Sequence, residues 1–345
     1  MTQSDFEKTQ NRKVLVTGGT GYIGSHYVRH LVQNHPQIQV HFAGRNMEAG
    51  NRLSAFSGAH FFRGDLADAE YAKFICKDID AVVHCAGLTG LWGPYETFYQ
   101  ANVVSTDNLL SAAREASVQR FVNLSTSSIY FDYKDHINVT EDYLPPRFAD
   151  NYTRTKYQAE MRVTRAHSEQ LRTLSLRPRM VIGSGRCAVF PAMVQMHQRG
   201  DLKQIGEGRN IVSMTSLGNM MMAIDCAIFG TNEVTGDVYN IADPQPVNYW
   251  DEINALMTQL ALPAVTRRTK YSTAYGFAAI SEALHALKKS TNEPKWSRLK
   301  VALMGRSFTL NIEKAKRRMG YAPEYVHNDS IVEFVDWWKK HSKRQ

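Results

Sequence analysis

The chain has 345 residues, 43% of them apolar and 21% charged, with 41 Lys and Arg against 33 Asp and Glu and a net charge of +8. That length and balance build a packed core without disulfides or metals. No apolar run approaches the roughly 20 residues of a membrane-spanning helix, and no aromatic-interleaved basic motif accompanies the positive charge, so neither a membrane span nor a nucleic-acid partner is expected.

The polar opening MTQSDFEKTQNRK has no apolar stretch of the secretory kind, and residues 1–12 are expected to be a disordered lead-in. Four scattered cysteines, Cys76, Cys85, Cys187 and Cys226, show no metal-ligand spacing. No metal is expected, and a reducing cytoplasm fits best.

From residue 13 onward, strand-like and helix-like segments alternate. Strands are predicted at 13–17, 40–43, 60–63, 81–85, 120–124 and 173–176. Helices are predicted at 22–33, 95–115 and 151–171. Such alternation implies right-handed βαβ units and a doubly wound parallel sheet of the α/β class, a Rossmann core over 13–177. Beyond Pro178 the pattern loosens. Helical pieces near 190–200, 217–229, 249–260 and 275–289 and a short strand at 238–241 predict a smaller, partly intertwined substrate lobe over 178–345, with some elements returning to the core.

The first predicted strand runs into Thr17-Gly18-Gly19-Thr20-Gly21-Tyr22-Ile23-Gly24. Gly18 permits a tight turn, Gly21 lets the backbone approach a pyrophosphate, and Gly24 lets the helix pack closely. The helix N-terminus offers free N–H groups to phosphates. Gly18, Thr20, Gly21, Tyr22, Ile23 and Gly24 are therefore candidate cofactor-binding residues. The second strand ends Phe42-Ala43-Gly44-Arg45, with no carboxylate to accept from a ribose 2′-OH. Arg45 can pair with a 2′-phosphate, so NADP(H) is expected ahead of NAD. After the third strand, Asp65 and Leu66 are placed for the adenine, although Asp65 also suits a simple turn or helix cap. Cys85, Ala86 and Gly87 end the fourth strand at the expected cofactor edge.

Tyr152 and Lys156 lie four apart and share a helix face. A neighbouring ammonium favours a phenolate, so Lys156 is expected to lower the pKa of Tyr152 and fit it for proton exchange. Upstream, the fifth strand ends in Ser125-Thr126-Ser127-Ser128, whose hydroxyls can orient a substrate oxygen. Asn102, mid-helix where Asn has poor propensity, can anchor a proton-relaying water or face solvent.

Seven segments in order, TGGTGYIG, GDL, HCAG, ANVVSTDNLL, STSSIY, YTRTK and LRPRMVIG, resemble the extended short-chain dehydrogenase/reductases over residues 13–345. The resemblance implies hydride transfer at nicotinamide C4, Tyr152 as general acid and base, and Thr126 as the substrate-facing hydroxyl, with Ser125 and Ser127 as close alternatives. It also suggests a homodimer. The segments at 88–96, 128–135 and 294–321 are similar to the 3β-hydroxysteroid dehydrogenase and 2-alkyl-3-oxoalkanoate reductase branch. The expected substrate is thus bulky and apolar, steroid-like or a long-chain 3-oxoacyl compound. The alternative is a nucleotide-sugar epimerase or dehydratase. Against it, Val212 stands where such enzymes carry a diphosphate-gripping Arg, and Met180 where they often carry Asn; Arg179 or Arg209 can compensate. Phe277, Ile280, Leu284 and Leu287 recur at helical spacing ahead of Lys288 and Lys289. A core helix is the default reading; the other is an apolar lid in peripheral contact with a membrane. Residues 261–345 hold 17 basic against 7 acidic side chains, which reads as a solvated face or as attraction to an anionic surface.

Overall fold

The computed structural model describes residues 12–287 and 293–342. The expected lead-in, apart from Arg12, and the pair Lys288 and Lys289 lie outside the described residues. The first half of the chain holds β1 (Lys13–Thr17), α1 (Tyr22–Asn34), β2 (Gln39–Gly44), α2 (Met47–Ser57), β3 (His60–Arg63), α3 (Ala69–Cys76), β4 (Ala81–His84), α4 (Tyr95–Tyr99), α5 (Ser105–Glu115), β5 (Arg120–Leu124), β6 (His136–Val139), α6 (Asn151–Arg165) and β7 (Arg172–Pro178). The second half holds β8 (Val181–Ile182), α7 (Phe190–Gln198), β9 (Gln204–Ile205), β10 (Ile211–Val212), β11 (Thr215–Ser216), α8 (Leu217–Phe229), β12 (Val238–Ile241), β13 (Val247–Asn248), α9 (Tyr249–Gln259), β14 (Arg268–Thr269), α10 (Tyr271–Leu287), α11 (Arg298–Gly305), β15 (Phe308–Leu310) and α12 (His327–His341).

Seven parallel strands form the main sheet in the order β3-β2-β1-β4-β5-β7-β12. Helices cover both faces, so β1, β4 and β5 are near-continuous buried runs rather than alternating ones. One face packs against α1 and α8, the other against α3, α5 and α6. The strand order reverses between β1 and β4, which opens a crevice beyond their carboxyl ends. The seventh strand, β12, comes from beyond Pro178 and pairs with β7 from Val238↔Ser175 to Ile241↔Pro178. A four-stranded sheet, β13-β10-β15-β6, and a second apolar cluster around Phe190, Tyr249, Trp250 and Phe334 build the smaller lobe.

Three expected elements differ in detail. The helix expected over 151–171 stops at Arg165. Leu171 turns into the core and Ser168 N–H donates to its carbonyl, so residues 166–171 form the tight return that feeds β7. The helix expected over 95–115 is interrupted by a π-helical turn at Gln100–Val104, and Asn102 sits inside it. The fourth strand ends at His84, one residue before Cys85.

The helix expected near 275–289 begins at Tyr271, and its apolar stripe does not join the core. Phe277 is 68% exposed, Ile280 60%, Leu284 51% and Leu287 80%, while Ala278 is its single buried residue. Helical spacing identifies a face but not which way it turns. Here the inward face carries Tyr271, Ala274 and Tyr275 against the smaller lobe.

Candidate active site

At the crevice, the glycine loop makes a cradle. Gly18 has φ +66°, and a Cβ there would lie 2.6 Å from Ala86 N. A Cβ on Gly24 would lie 2.3 Å from the Gly18 carbonyl oxygen. A Cβ on Gly21 would touch only the Gly18 carbonyl oxygen, at 3.1 Å, so the loop is open on that side. Gly21 caps α1, whose first turn has no acidic residue. Its free N–H groups and dipole suit a pyrophosphate, so the residues present fit a dinucleotide. The Tyr22 side chain turns away from the loop and packs against both apolar clusters. Ile23 packs on the core as well.

The adenosine end has a steric feature the residue order did not reveal. A Cβ on Gly44 would lie 2.4 Å from the Thr20 hydroxyl oxygen. Thr20 thus fills the space where a carboxylate-bearing side chain would start. Arg45 reaches Asp65 across this end at 3.7 Å, with both side chains mostly exposed; such a pair is weak and easily exchanged for a phosphate. Asp65 also accepts from Ala67 N–H at 3.0 Å, so the turn role weighed for it is real. Leu66 is buried, and its carbonyl accepts from Asn108. Cys85 N–H donates to the Thr17 carbonyl, which holds Cys85 and Ala86 against the glycine loop. His84 is locked between Thr17 and Thr106 at 2.8 and 3.0 Å, and burial, then Lys156, lower its pKa to about 3. It is a neutral strut.

The proton-handling groups meet at the same edge. Asp150 caps α6 through a reciprocal box with Thr153, which starts the helix one residue before Tyr152. Thr126 lies beside the Tyr152 phenol, near enough to oppose the effect of burial on its pKa. Of the neighbouring serines, Ser127 donates to the Pro178 carbonyl at 3.0 Å, and Ser125 Oγ is buried without a partner. Thr126 is therefore the hydroxyl of this cluster that faces the phenol.

Lys156 and Asn102 behave differently from expectation. Lys156 is buried and donates to the Leu124 carbonyl at 2.7 Å. Burial lowers its pKa to about 8, against the pull of Glu160 and Cys85. Burial raises Tyr152 to about 12; Thr126 opposes this, and Asp150 adds to it. Desolvation of the phenol outweighs any help from the lysine, so the lowered phenol expected from the spacing is absent in the protein alone. Asn102 neither faces solvent nor keeps a free donor. Its amide donates to the Leu88 carbonyl and to Thr155 Oγ1, and its oxygen accepts from Leu88 N–H at 2.7 Å. It clamps the 88 loop to α6. Gly87 lies between this clamp and Lys156: a Cβ there would be 3.1 Å from Asn102 Oδ1 and 3.7 Å from Lys156 Nζ.

A cavity of about 290 Å³ opens on Tyr152. Leu91, Trp92, Phe98, Tyr133 and Leu299 form the apolar part of its wall, Asp150, Asn151 and Ser297 contribute to the polar part, and the Glu282–Arg298 pair closes part of it. Glu282 accepts from both the backbone N–H and Nε–H of Arg298, at 2.7 and 2.6 Å. Sequence reasoning used the 88–96 and 128–135 segments for resemblance and did not assign them to the wall. The signal that pointed there was the run of large apolar residues between Gly90 and Gly93.

The crevice, the cradle and the paired hydroxyls coincide with a family match. Residues 15–269 match the 3-beta hydroxysteroid dehydrogenase/isomerase family. The chain belongs to that family. Within it, a 2-alkyl-3-oxoalkanoate reductase of Stenotrophomonas maltophilia is 30% identical over 333 residues, 90% of this chain and 95% of the relative. The sterol-4-alpha-carboxylate 3-dehydrogenase of Mus musculus is 26% identical, covering 94% of this chain and 90% of the relative. Among solved structures, UDP-glucuronic acid 4-epimerase of Bacillus cereus in complex with NAD superposes with TM-score 0.74 at 22% identity, covering 95% and 99% of the two chains; this likeness concerns the fold. The family and fold place the protein among NAD(P)-dependent oxidoreductases of the extended short-chain type.

Proposed function

We propose that the protein is an NADP(H)-dependent oxidoreductase acting on a 3-oxo or 3β-hydroxyl group of a bulky apolar substrate, steroid-like or long-chain 3-oxoacyl. The observation that carries this reading is a cavity bordered by Leu91, Trp92, Phe98 and Leu299 that opens on Tyr152 with Thr126 beside the phenol. The nicotinamide supplies or accepts the hydride at its C4. Thr126 holds the substrate oxygen beside the phenol, and Tyr152 gives that oxygen a proton in reduction or takes one in oxidation. Lys156, anchored by Leu124, orients the ribose side of the site, and Asn102 holds the loop that passes it. A dinucleotide would be held by Gly18, Thr20, Gly21, Tyr22, Ile23 and Gly24, with Arg45, Asp65 and Leu66 available to its adenosine and Cys85, Ala86 and Gly87 to the rest of it. No observation favours a diphosphate-bearing sugar: Val212 is fully buried and pairs with Phe308 in the small sheet. A panel of ketones and alcohols with NADPH and NADH, followed by absorbance of the reduced ring, tests the assignment. Turnover of nucleotide sugars alone would overturn it.

Arg45 decides the cofactor in this reading. Arg45→Ala is expected to weaken NADPH binding by about 10- to 100-fold, the worth of a charge-assisted hydrogen bond. NADH binding should stay within about twofold. Fluorescence titration of both cofactors measures this, and equal losses would remove Arg45 from the 2′-phosphate.

The exposed stripe of α10 extends the proposal to partners. No described helix is long and apolar enough to cross a membrane. Phe277, Ile280, Leu284 and Leu287 instead suit a peripheral contact, with the basic C-terminal quarter attracted to anionic lipid. Replacing all four with Ser should abolish co-sedimentation with phosphatidylserine vesicles and leave that with neutral phosphatidylcholine vesicles low and unchanged. The four unpaired cysteines fit a reducing cytoplasm. A homodimer is the expected assembly, which light scattering checks.

A further inference from the structure

Away from the crevice, three side chains with metal-binding atoms converge where α1 meets α8. His30 lies near the end of α1, His35 directly after it, and Asp225 on α8. His30 Nε2 and His35 Nε2 both reach Asp225 Oδ2, at 2.6 and 3.2 Å. The Tyr27 hydroxyl donates to the other carboxylate oxygen, Oδ1, at 2.9 Å. Among the described residues, this is the one group of three His, Cys, Asp or Glu side chains whose ligand atoms lie within 4.8 Å of one another. Burial pushes the Asp225 carboxyl up, but the two histidines outweigh it and hold the group below its usual range, so it is a carboxylate.

The cluster is braced from behind and open in front. Tyr27 is fully buried and stacks on the His30 ring, with centroids 5.8 Å apart. The His35 ring packs on Phe229 at 4.4 Å. The side chains of His30, His35 and Asp225 are 24%, 15% and 23% exposed, so an ion can enter from water.

We infer that His30, His35 and Asp225 form a binding site for a divalent transition ion, Zn²⁺ first among them, that clamps α1 to α8. Two imidazole nitrogens and one carboxylate oxygen are a donor set this ion takes, with water in the fourth position, whereas Ca²⁺ and Mg²⁺ want oxygen alone. Around a tetrahedral ion with bonds of about 2.0–2.1 Å, neighbouring donors stand roughly 3.3 Å apart. His35 and Asp225 already stand at 3.2 Å. His30 and Asp225 need to part by roughly 0.7 Å to reach that spacing. Tyr27 fixes the carboxylate from its far oxygen. Asn34 Nδ2 lies 3.1 Å from His30 Nδ1; its amide, turned end for end, accepts Nδ1–H and leaves Nε2 free for the metal. The sequence shows no ligand spacing here because Asp225 is 190 residues from His35. His30 lies roughly 13 Å along α1 from Gly21, so the ion steadies the fold and takes no part in hydride transfer. The inference stands apart from the proposed oxidoreductase reading.

The test strips the full-length protein with EDTA, dialyses it free of chelator and titrates it with ZnCl₂ by calorimetry and by thermal denaturation. Wild type should take up one equivalent and gain several degrees of Tm in excess zinc, while CaCl₂ and MgCl₂ leave Tm unchanged. Co²⁺ in place of zinc should show the visible absorption of a tetrahedral ion. Asp225→Asn and His35→Gln should each weaken zinc binding by at least about tenfold and lose the Tm gain, as should Tyr27→Phe, which keeps the buried ring and releases Oδ1. His35→Gln carries the comparison should Asp225→Asn fail to fold. His41→Gln, beside His60 and outside the cluster, should bind zinc as wild type does. No uptake by wild type would overturn the inference, as would uptake undiminished in Asp225→Asn and His35→Gln, or lost in His41→Gln. So would a lower Tm of Asp225→Asn in EDTA with zinc adding nothing to wild type, which would make the cluster a hydrogen-bonded clamp alone.

Discussion

Tyr152→Phe should lower kcat by about 10²- to 10⁴-fold, the usual contribution of a positioned acid or base, and leave NADPH affinity unchanged. The substitution deletes one oxygen, the one beside Thr126, and keeps the ring that lines the cavity. Stopped-flow or steady-state turnover against a cofactor titration separates the two effects. The pH dependence follows from the same group. Burial holds the phenol protonated up to about 12, so reduction, which needs the proton on Tyr152, should be insensitive to this group through the neutral range. Oxidation needs the phenolate and should accelerate as pH climbs toward that value. A Phe variant with near wild-type turnover would remove Tyr152 from the chemistry.

Lys156→Met should impair turnover and stabilise the fold at once. Lys156 has a folded pKa of about 8, below its ordinary value of 10.5. Between those values the unfolded chain binds more protons than the folded one, so stability rises with pH across that window. Below pH 8 the buried ammonium is a penalty of about 3 kcal/mol, partly offset by about 1 kcal/mol from its bond to the Leu124 carbonyl. Methionine is unbranched and apolar and fills the same channel. A net gain of about 2 kcal/mol near pH 7 is expected, a rise of several degrees in Tm, and it should shrink as pH passes 9. Thermal denaturation from pH 6 to 10 checks the sign. A variant less stable than wild type at pH 7 would show that the cation supports the fold, in which case burial is not its dominant influence. A residue kept against stability is expected where function requires it.

The parallel sheet and the cradle were legible because they rest on local rules. Short, largely apolar runs at 13–17, 81–84 and 120–124 in a strand–helix alternation read as strands buried on both faces, and a strand–glycine turn–helix junction favours a phosphate-binding turn. Helical spacing likewise put Tyr152 and Lys156 on one face. What spacing could not supply was the dielectric around them. Whether a lysine acidifies a tyrosine or is itself discharged depends on which atoms exclude water, and that comes from β5, the 88 loop and the second lobe. The same limit applies to α10. Its periodicity is as good as that of a core helix, yet the side bearing Tyr271, Ala274 and Tyr275 is the one the lobe accepts.

By itself, then, the amino-acid order determined the strands, the glycine loop and the candidate pair Tyr152 and Lys156, because each depends on neighbours a few residues away. Tertiary structure alone decided that Ser127 is spent on the Pro178 carbonyl and that Thr20 occupies the space beside Gly44. It also decided that Asn102 is spent on Leu88 and Thr155. Those outcomes turn on burial and on hydrogen bonds between segments tens of residues apart, and such distances carry no periodicity for a sequence to display.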